Sequence, residues 1–474
     1  MTEVETKIVG EEPLKGMLIP RQYQVEGADF MAAIARGRAL CRDEMGLGKT
    51  GQTYLTLNRL KPARTLIVCG KNAQYVWQKE APLWGHETPT IVRGKPEERQ
   101  IMWKEANSLR KGVWTCTREI LKRDLKSGWC PRQWDCIIVD ECHKDTNRKT
   151  QNFAALASLG SPYMLLLSGN QVTVPKMWAL LHLLYPKRFS SYWRFIRTFC
   201  ESEQDWMGHW QIVGPKNLDG LHKQLATIMI ARTKKQVRPQ MPPKIRSFLQ
   251  VDMEPDQEKV YKDLEDKMLA ELPSKGILAV SDILTRLIRL RQCLITPKLL
   301  DPKLSWGAGF EQIGELMDDT DDHHFAVFTP FRASLPILKD YLVSRGTQPD
   351  NIILLHGGLS VEELGIRLAR FREERGVALV TIKFAESFDL IPASWGVFLG
   401  VEWTPDENWQ AEDRLHRGNI ERAVNIYYIQ HKGTIDTTLM LPTLDEKATL
   451  ARRTTLNADL LRQAIQQRRL YDGV

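Results

Sequence analysis

Three short segments carry side chains that could move a phosphoryl group. The first, Arg42-Asp43-Glu44-Met45-Gly46-Leu47-Gly48-Lys49-Thr50, joins an apolar run to an amphipathic one. Glycines let backbone N–H groups approach phosphate oxygens, and the helix that follows directs its positive end at them. Gly46, Leu47 and Gly48 would cradle the phosphates, Lys49 would reach the β- and γ-phosphates of ATP, and the Thr50 hydroxyl would hold Mg2+. The usual leading glycine of such a loop is Asp43 here, so the strict pattern is not met. The second segment is Ile137-Ile138-Val139-Asp140-Glu141-Cys142-His143. An apolar strand ending in two carboxylates suits the metal side of the reaction: Asp140 would hold Mg2+ through its shell, and Glu141 would polarise the attacking water. In the third, Gln410-Ala411-Glu412-Asp413-Arg414-Leu415-His416-Arg417, the two arginines stand three apart and on a helix would share a face. Guanidinium groups can clamp a γ-phosphate as charge shifts in the transition state. Each segment alone has a bland reading: a chance glycine loop, solvated acids at a strand end, a solvated helix face. Together they point to nucleotide hydrolysis, with Lys49, Asp140, Glu141, Arg414 and Arg417 as the catalytic set.

The elements that must position these residues are readable from hydrophobic patterning. Short apolar runs alternate with amphipathic stretches, as strands and helices do in a parallel α/β sheet. Buried strands are expected at 39–42, 65–69, 112–115, 136–139 and 163–167, with helices at 52–59 and 73–79 among those between them. A stretch rich in Pro, Lys and Arg, 232–244, breaks the pattern. A helical block at 255–295 follows, and strands resume at 324–329, 351–356, 377–382, 395–399 and 423–429. The expected plan is a tail at 1–17, a first lobe at 18–231 with a helical insertion, and a basic linker at 232–250. A second lobe at 251–446 with its helical block at 255–300, and a helical tail at 447–474, complete it. Neither lobe alone has anything to close against, so the ATP site is expected in the cleft between them.

Composition sets outer bounds. The 474 residues are 43% hydrophobic and 26% charged, enough for two large domains or three smaller ones. A net charge of +8, from 66 basic and 58 acidic side chains, is compatible with a polyanionic partner. Eight scattered cysteines form no C-x-x-C pair and read as reduced thiols of an intracellular protein. The N-terminus lacks a signal-peptide pattern, and no apolar run approaches the ~20 residues of a membrane span. A cytoplasmic protein without membrane contact is expected. Most of the 14 tryptophans are assigned to core rather than to base stacking.

The whole set resembles the superfamily-two helicases, and more narrowly the Swi/Snf-type DNA translocases, from Leu18 to about Lys447. The Pro20-Arg21-Gln22-Tyr23-Gln24-Val25-Glu26-Gly27 segment resembles the family's adenine-reading element, which implies Gln24 on the base. Leu66-Ile67-Val68-Cys69 with Trp77-Gln78-Lys79-Glu80 resembles the motif that tracks the nucleic-acid backbone. Arg232-Thr233-Lys234 with Pro242-Pro243-Lys244 resembles the basic interlobe linker, and Leu290-Arg291-Gln292-Cys293 resembles the family's leucine–arginine–glutamine signature. The form of the arginine element, with Gly433-Thr434-Ile435 after it, is most similar to the HepA-related annealing-helicase branch. The resemblance implies two tandem RecA-like lobes, ATP and Mg2+ as cofactors, and translocation on duplex or branched DNA that remodels or reanneals it without processive unwinding. It also implies phosphate-backbone contacts by Lys71, Thr115, Thr117, His356 and Lys383. Such contacts are individually weak and read little sequence.

Several positions depart from the family pattern. The third motif reads Leu167-Ser168-Gly169-Asn170-Gln171, where Asn170 keeps hydrogen-bonding capacity and Gln171 removes the rigid turn of a proline. The fifth, Thr381-Ile382-Lys383-Phe384-Ala385-Glu386-Ser387-Phe388-Asp389-Leu390, lacks the usual glycines, and the arginine element continues as Gly418-Asn419. Hydrolysis is therefore expected to survive better than coupling to movement. The chain's brevity suggests a minimal, monomeric motor from a bacterium, a phage or a mobile element, with target choice left to DNA shape or to a protein partner. Two alternatives stand: an RNA-directed helicase, and a nucleic-acid-binding scaffold with impaired coupling.

Overall fold

A computed structural model describes residues 17–170, 172–204, 210–271, 280–320, 322–374, 376–418, 420–440 and 444. The expectations for Gln171, Asn419 and the segments 1–16 and 447–474 lie outside the described residues. The chain divides into two compact units, within Met1–Pro239 and within Gln240–Leu450. Both are α/β units built on parallel sheets flanked by helices, as the sequence leads one to expect.

The first unit contains β1 (Arg38–Cys41), β2 (Arg64–Val68), β3 (Thr90–Ile91), β4 (Gly112–Cys116), β5 (Cys136–Val139), β6 (Tyr163–Leu167) and β9 (Met229–Ile230), in the order β3-β4-β2-β5-β6-β1-β9. An antiparallel hairpin, β7 (Cys200–Gln204) and β8 (Trp210–Pro215), stands outside this sheet. Side-chain alternation explains why both faces of the sheet are covered. Leu40, Leu66, Val68, Ile137, Val139 and Leu166 join one core, with helices carrying Trp103, Leu121 and Leu180. Ala39, Cys41, Ile67, Ile138, Leu165 and Leu167 join the other, with Tyr54, Trp77 and Trp84. A near-continuous apolar run is what a strand buried on both faces requires.

The second unit repeats the logic with β10 (Lys244–Val251), β11 (Phe325–Thr329), β12 (Ile352–Leu355), β13 (Val377–Thr381), β14 (Trp395–Leu399) and β15 (Val424–His431), in the order β10-β15-β14-β11-β13-β12. Ala326, Phe328, Ala378, Val380 and Phe398 face one core, and Phe325, Val327, Val377, Leu379 and Val397 the other. All eight cysteines are free and buried. Among the described residues no helix is long and apolar enough to cross a membrane.

The basic stretch 232–244 is tied down at both ends. Arg232 is buried against Asp43 in the first unit, and Thr233 caps a short helix, Lys234–Val237, through Gln236. Lys244 opens β10 and lies 2.7 Å from Glu412 and 2.9 Å from Asp413. Glu412 is fully buried; it also accepts from Arg246 at 2.7 Å and from the Tyr428 hydroxyl at 2.7 Å. Burial pushes the Glu412 carboxyl up, but Lys244 and Arg246 outweigh it and hold the group below its ordinary range. Its contribution to stability is therefore present above the unfolded carboxylate pKa of about 4.3 and fades as pH falls through the lower folded value. Glu412→Gln should destabilise the second unit by about 1.5–3 kcal/mol at neutral pH, because the largely buried Lys244 keeps only Asp413 and the half-exposed Arg246 loses its carboxylate. Urea unfolding of both proteins tests this: the difference should shrink below about pH 4, and a difference under about 1 kcal/mol at pH 7 would contradict the assignment.

Candidate nucleotide site and helicase motifs

The glycine loop leaves β1 and enters the helix Lys49–Leu60. Gly46 (φ 83°) and Gly48 (φ 68°) take the left-handed conformation that lets amides point inward. A Cβ at Gly48 would lie 2.4 Å from the Gln24 amide nitrogen, so Gln24 packs directly against the loop. The Lys49 amine donates to the Asp43 carbonyl at 2.9 Å. Asp43, in place of the leading glycine, is fully buried; it accepts from the Gln52 amide at 2.9 Å and from Arg232 Nε at 3.1 Å.

The two acids end β5. Asp140 accepts from the Trp77 indole at 3.0 Å and from the Glu141 N–H at 2.9 Å. Glu141 has φ 48°, a strained conformation for a side-chain-bearing residue. Arg118 holds the backbone there: its guanidinium donates to the Asp140 carbonyl at 2.6 Å and the Glu141 carbonyl at 3.1 Å, while Asp145 neutralises it at 2.7 Å. Burial and the neighbouring Glu141 raise the Asp140 carboxyl. Burial also acts to raise Glu141, but His143, Lys49 and Lys144 outweigh it and bring the group down to about 2. The Lys49 charge thus acts on both carboxylates. Oxygen donors of this kind, with the half-buried Thr50 hydroxyl at the start of the helix, are suited to a hard dication.

His143 links this box to the altered third motif. Its Nδ1 lies 3.0 Å from Ser168 Oγ and 3.2 Å from Glu141 Oε2, and its Nε2 lies 3.0 Å from the Asn170 amide nitrogen. With that amide donating, Nε2 accepts and the proton belongs on Nδ1, facing the carboxylate. The hydrogen-bonding capacity expected of Asn170 is thus used.

In the second unit, the helix Pro405–Glu412 ends two residues before Arg414. The expectation that Arg414 and Arg417 share a helix face is therefore corrected. Arg414 is buried in the turn that follows, and Arg417 is half-buried in the loop beyond it. The reason is tertiary: Glu412 and Asp413 are pinned to β10 by Lys244, and Gly418 turns the chain at φ 70°. The signature arginine, Arg291, is buried between Phe331 and Trp403, with its guanidinium 5.4 Å from each ring, and donates to the Val401 carbonyl at 2.5 Å. It braces the loop that enters the helix Pro405–Glu412.

The expected phosphate-backbone residues divide. Lys71 is exposed. Thr117 is half-buried and caps the helix Arg118–Lys126 through the Ile120 N–H at 3.3 Å. Half-buried His356 is held below its ordinary pKa by burial and by Arg332 and Arg367. Lys383 is exposed on a 3₁₀ turn, Ile382–Ser387, 3.5 Å from Glu402. Thr115 is a correction: it is fully buried in β4, with its hydroxyl 3.3 Å from the Cys69 sulfur, and cannot meet a phosphate. Sequence reasoning missed Arg118, Asp145 and the Asp43–Arg232 pair. The capping threonine before Arg118 was the one local signal available; the other partners lie far apart in the chain.

A family model for the SNF2-related domain matches residues 23–299, more than half of the chain. The chain belongs to the SNF2-related domain family. A second model, the helicase conserved C-terminal domain, matches residues 308–419. This SNF2-related chain is 27% identical over 453 residues to the CHD3-type chromatin-remodeling factor CHR7 of Arabidopsis thaliana, covering 88% of this chain and 36% of that protein. It is 26% identical over 453 residues to the DNA annealing helicase and endonuclease ZRANB3 of Homo sapiens, covering 92% of this chain and 40% of that protein. The chain thus spans 36% and 40% of the length of these curated relatives. Among solved structures it is similar to the Sulfolobus solfataricus SWI2/SNF2 ATPase core in complex with dsDNA, at 23% identity, 96% coverage of this chain, 98% of that chain and a TM-score of 0.44. The family resemblance read from the motifs is borne out, and the likeness to an annealing helicase accords with the branch expected. The bacterial or phage source has no counterpart among the curated relatives named here, a plant and a human protein.

Gly169 supplies a direct test of the loop's packing. A Cβ there would lie 2.4 Å from Met45 and 3.1 Å from the Lys49 amine. Gly169→Ala should push the lysine off its position and weaken ATP binding by about tenfold, the effect of roughly 1.4 kcal/mol. Titration with a fluorescent ATP analogue measures this, and unchanged affinity would show that the loop tolerates the added methyl.

Proposed function

We propose that this chain is an ATP-dependent DNA translocase that couples hydrolysis at the Lys49 loop to movement on duplex or branched DNA, remodelling or reannealing it without processive unwinding. The observation that carries this reading is that the Lys49 amine lies beside Gly169 while the adjoining Ser168 is joined through His143 to Glu141, in a chain of the SNF2-related family. The Gly46, Leu47 and Gly48 amides and the positive end of the helix Lys49–Leu60 bind phosphate oxygens. Lys49 exchanges its bond to the Asp43 carbonyl for the β- and γ-phosphates, and Gln24 meets the adenine base. The cradle at Gly48 and the paired oxygen donors fit Mg2+ held by Thr50 and, through its shell, Asp140. When bound, the metal neutralises charge on the phosphate oxygens.

Glu141, kept ionised by its cationic neighbours, orients the attacking water and accepts its proton. His143, fixed by Ser168 and Asn170, keeps that carboxylate in place. Arg414 and Arg417 are assigned to the γ-phosphate as charge develops on it. Lys71, Thr117, His356 and Lys383 contact the DNA backbone, contributing affinity without reading sequence. The chain acts as a monomer, with its target set by DNA shape or by a protein partner.

ATP turnover measured alone and with single-stranded, duplex and forked DNA or RNA tests the reading. Duplex or forked DNA should raise the rate; Glu141→Gln should lower kcat by about 10²–10⁴-fold while keeping ATP binding, and Lys49→Ala should lose binding. Failure of every nucleic acid to stimulate the enzyme would favour a scaffold, and stimulation by RNA alone would change the track.

A further inference from the structure

One cluster of side chains has no part in the nucleotide site. The helix Tyr192–Phe199, the β7–β8 hairpin, the loop after the Asp140–Glu141 box and the start of the helix Val174–Leu184 wall a cavity of about 1070 Å³. That exceeds the roughly 300–1,000 Å³ of a small-molecule site, so an occupant can extend beyond one nucleotide unit. Among the described residues its walls carry four cations, Arg148, Lys149, Lys176 and Arg197, and no acidic residue. The pairing of the hairpin accounts for this. Ser202 faces Ile212 and Gln204 faces Trp210, so these side chains share one face, while Glu203 and Gln211 point to the other.

The aromatic walls are unusually open. Trp193 is 57% and Trp210 64% exposed, whereas tryptophan ordinarily hides most of its surface. Arg148 lies over the Tyr192 ring at 4.2 Å, and Tyr192 meets Trp193 edge-on at 5.2 Å. Trp178, also in the wall, is buried. The cavity therefore presents flat π-faces and cations together. A phosphate-tracking motor on paired DNA needs only the cations; open aromatic faces serve bases that are unpaired.

We propose that this cavity binds single-stranded nucleic acid, with Trp193 and Trp210 stacking on bases and Arg148, Lys149, Lys176 and Arg197 holding the intervening phosphates. The site goes beyond the motor reading and directs the chain to junctions where a strand is unpaired. It also lies close to the chemistry, since the Thr146 hydroxyl donates to the His143 carbonyl at 3.0 Å just before the cationic pair Arg148-Lys149.

Fluorescence anisotropy of the full chain with labelled oligothymidylate, oligouridylate and blunt duplex tests the proposal. Trp193→Ala with Trp210→Ala should weaken binding of a single strand by about ten- to a hundredfold and leave blunt-duplex binding unchanged. Phenylalanine at both positions should restore most of the loss. Arg148→Gln with Lys176→Gln should flatten the dependence of log affinity on log salt by about 0.7 for each phosphate contact removed. The tighter of the two oligonucleotides identifies the strand as DNA or RNA. Equal loss on blunt duplex, no loss on single strands, or equal competition by a polyglutamate peptide would overturn the assignment. If no nucleic acid stimulates ATP turnover, yet the tryptophan variant still loses single-strand binding, the motor reading falls and the cavity's role stands.

Discussion

Asp43 occupies a position where a phosphate loop ordinarily opens with glycine, and it does so with none of its surface exposed. A lone carboxylate buried there would cost several kcal/mol, so the position demands a cation. Arg232, 189 residues away, supplies it. Burial acts to lower the arginine's pKa, but the Asp43 charge and hydrogen bonds outweigh that effect and raise it, so the guanidinium stays charged. The same guanidinium donates to Gln52 at 2.9 Å and to the Tyr23 carbonyl at 2.6 Å. The pair therefore fixes three things at once: the base of the loop, the first turn of the helix behind it and the element carrying Gln24. Gly27 follows from the same constraint, since a Cβ there would lie 2.0 Å from Gln52 Oε1 and 2.6 Å from the guanidinium.

The second unit uses a comparable device at the other end of the same basic stretch. Lys244 and Arg246 neutralise buried Glu412, which closes the helix just before Arg414. Buried ion pairs of this sort add little net stability relative to a hydrophobic packing, but removing one partner is severely destabilising. Their effect is to specify one arrangement. In each unit the residue so specified adjoins a segment proposed for phosphate chemistry, so the stretch 232–244 is anchored to both proposed sites by its own side chains.

Most strands were legible because burial on both faces forces uniform apolar runs: 136–139, 163–167 and 395–399 match β5, β6 and β14, and the other expected runs shift by only a residue or two at their ends. The short β3 and β9, the β7–β8 hairpin and the edge strand β10, which falls in the stretch expected as linker, carry no such run. The glycine loop and the Asp140–Glu141 box were legible because their chemistry is local. What failed was inference across space. The family resemblance implied a phosphate contact for Thr115, but the strand turns it inward against Cys69. Arg414 and Arg417 looked helical because their spacing suits a helix; a lysine from a distant strand ended the helix first. The partner of Asp43 could not be named from sequence, since nothing local distinguishes Arg232 among its basic neighbours. Exposure of Trp193 and Trp210 was equally hidden, because composition cannot say which tryptophans the fold leaves uncovered.

The altered third motif bears on how hydrolysis reaches the rest of the machine. Its family form sets a proline-stiffened turn, and its loss suggested a weakened link. In the structure Asn170 contacts the His143 ring, Ser168 contacts the same ring from the other nitrogen, and the Asn170 carbonyl accepts from Arg42 at 3.1 Å. The segment is therefore joined to both the acidic box and the root of the glycine loop by hydrogen bonds, whose geometry does not depend on a proline. In the proposed reaction His143 thus connects Glu141 to Ser168 and Asn170, just beyond the end of β6. The fifth motif is different in kind: with no glycine it folds into a 3₁₀ turn that presents Lys383 next to Glu402. A lysine balanced by a buried acid is a weaker phosphate anchor than a free one. Within the proposed translocase reading, the departure that bears most on coupling is therefore the one at Lys383 in the second unit, and not the third motif beside the nucleotide loop.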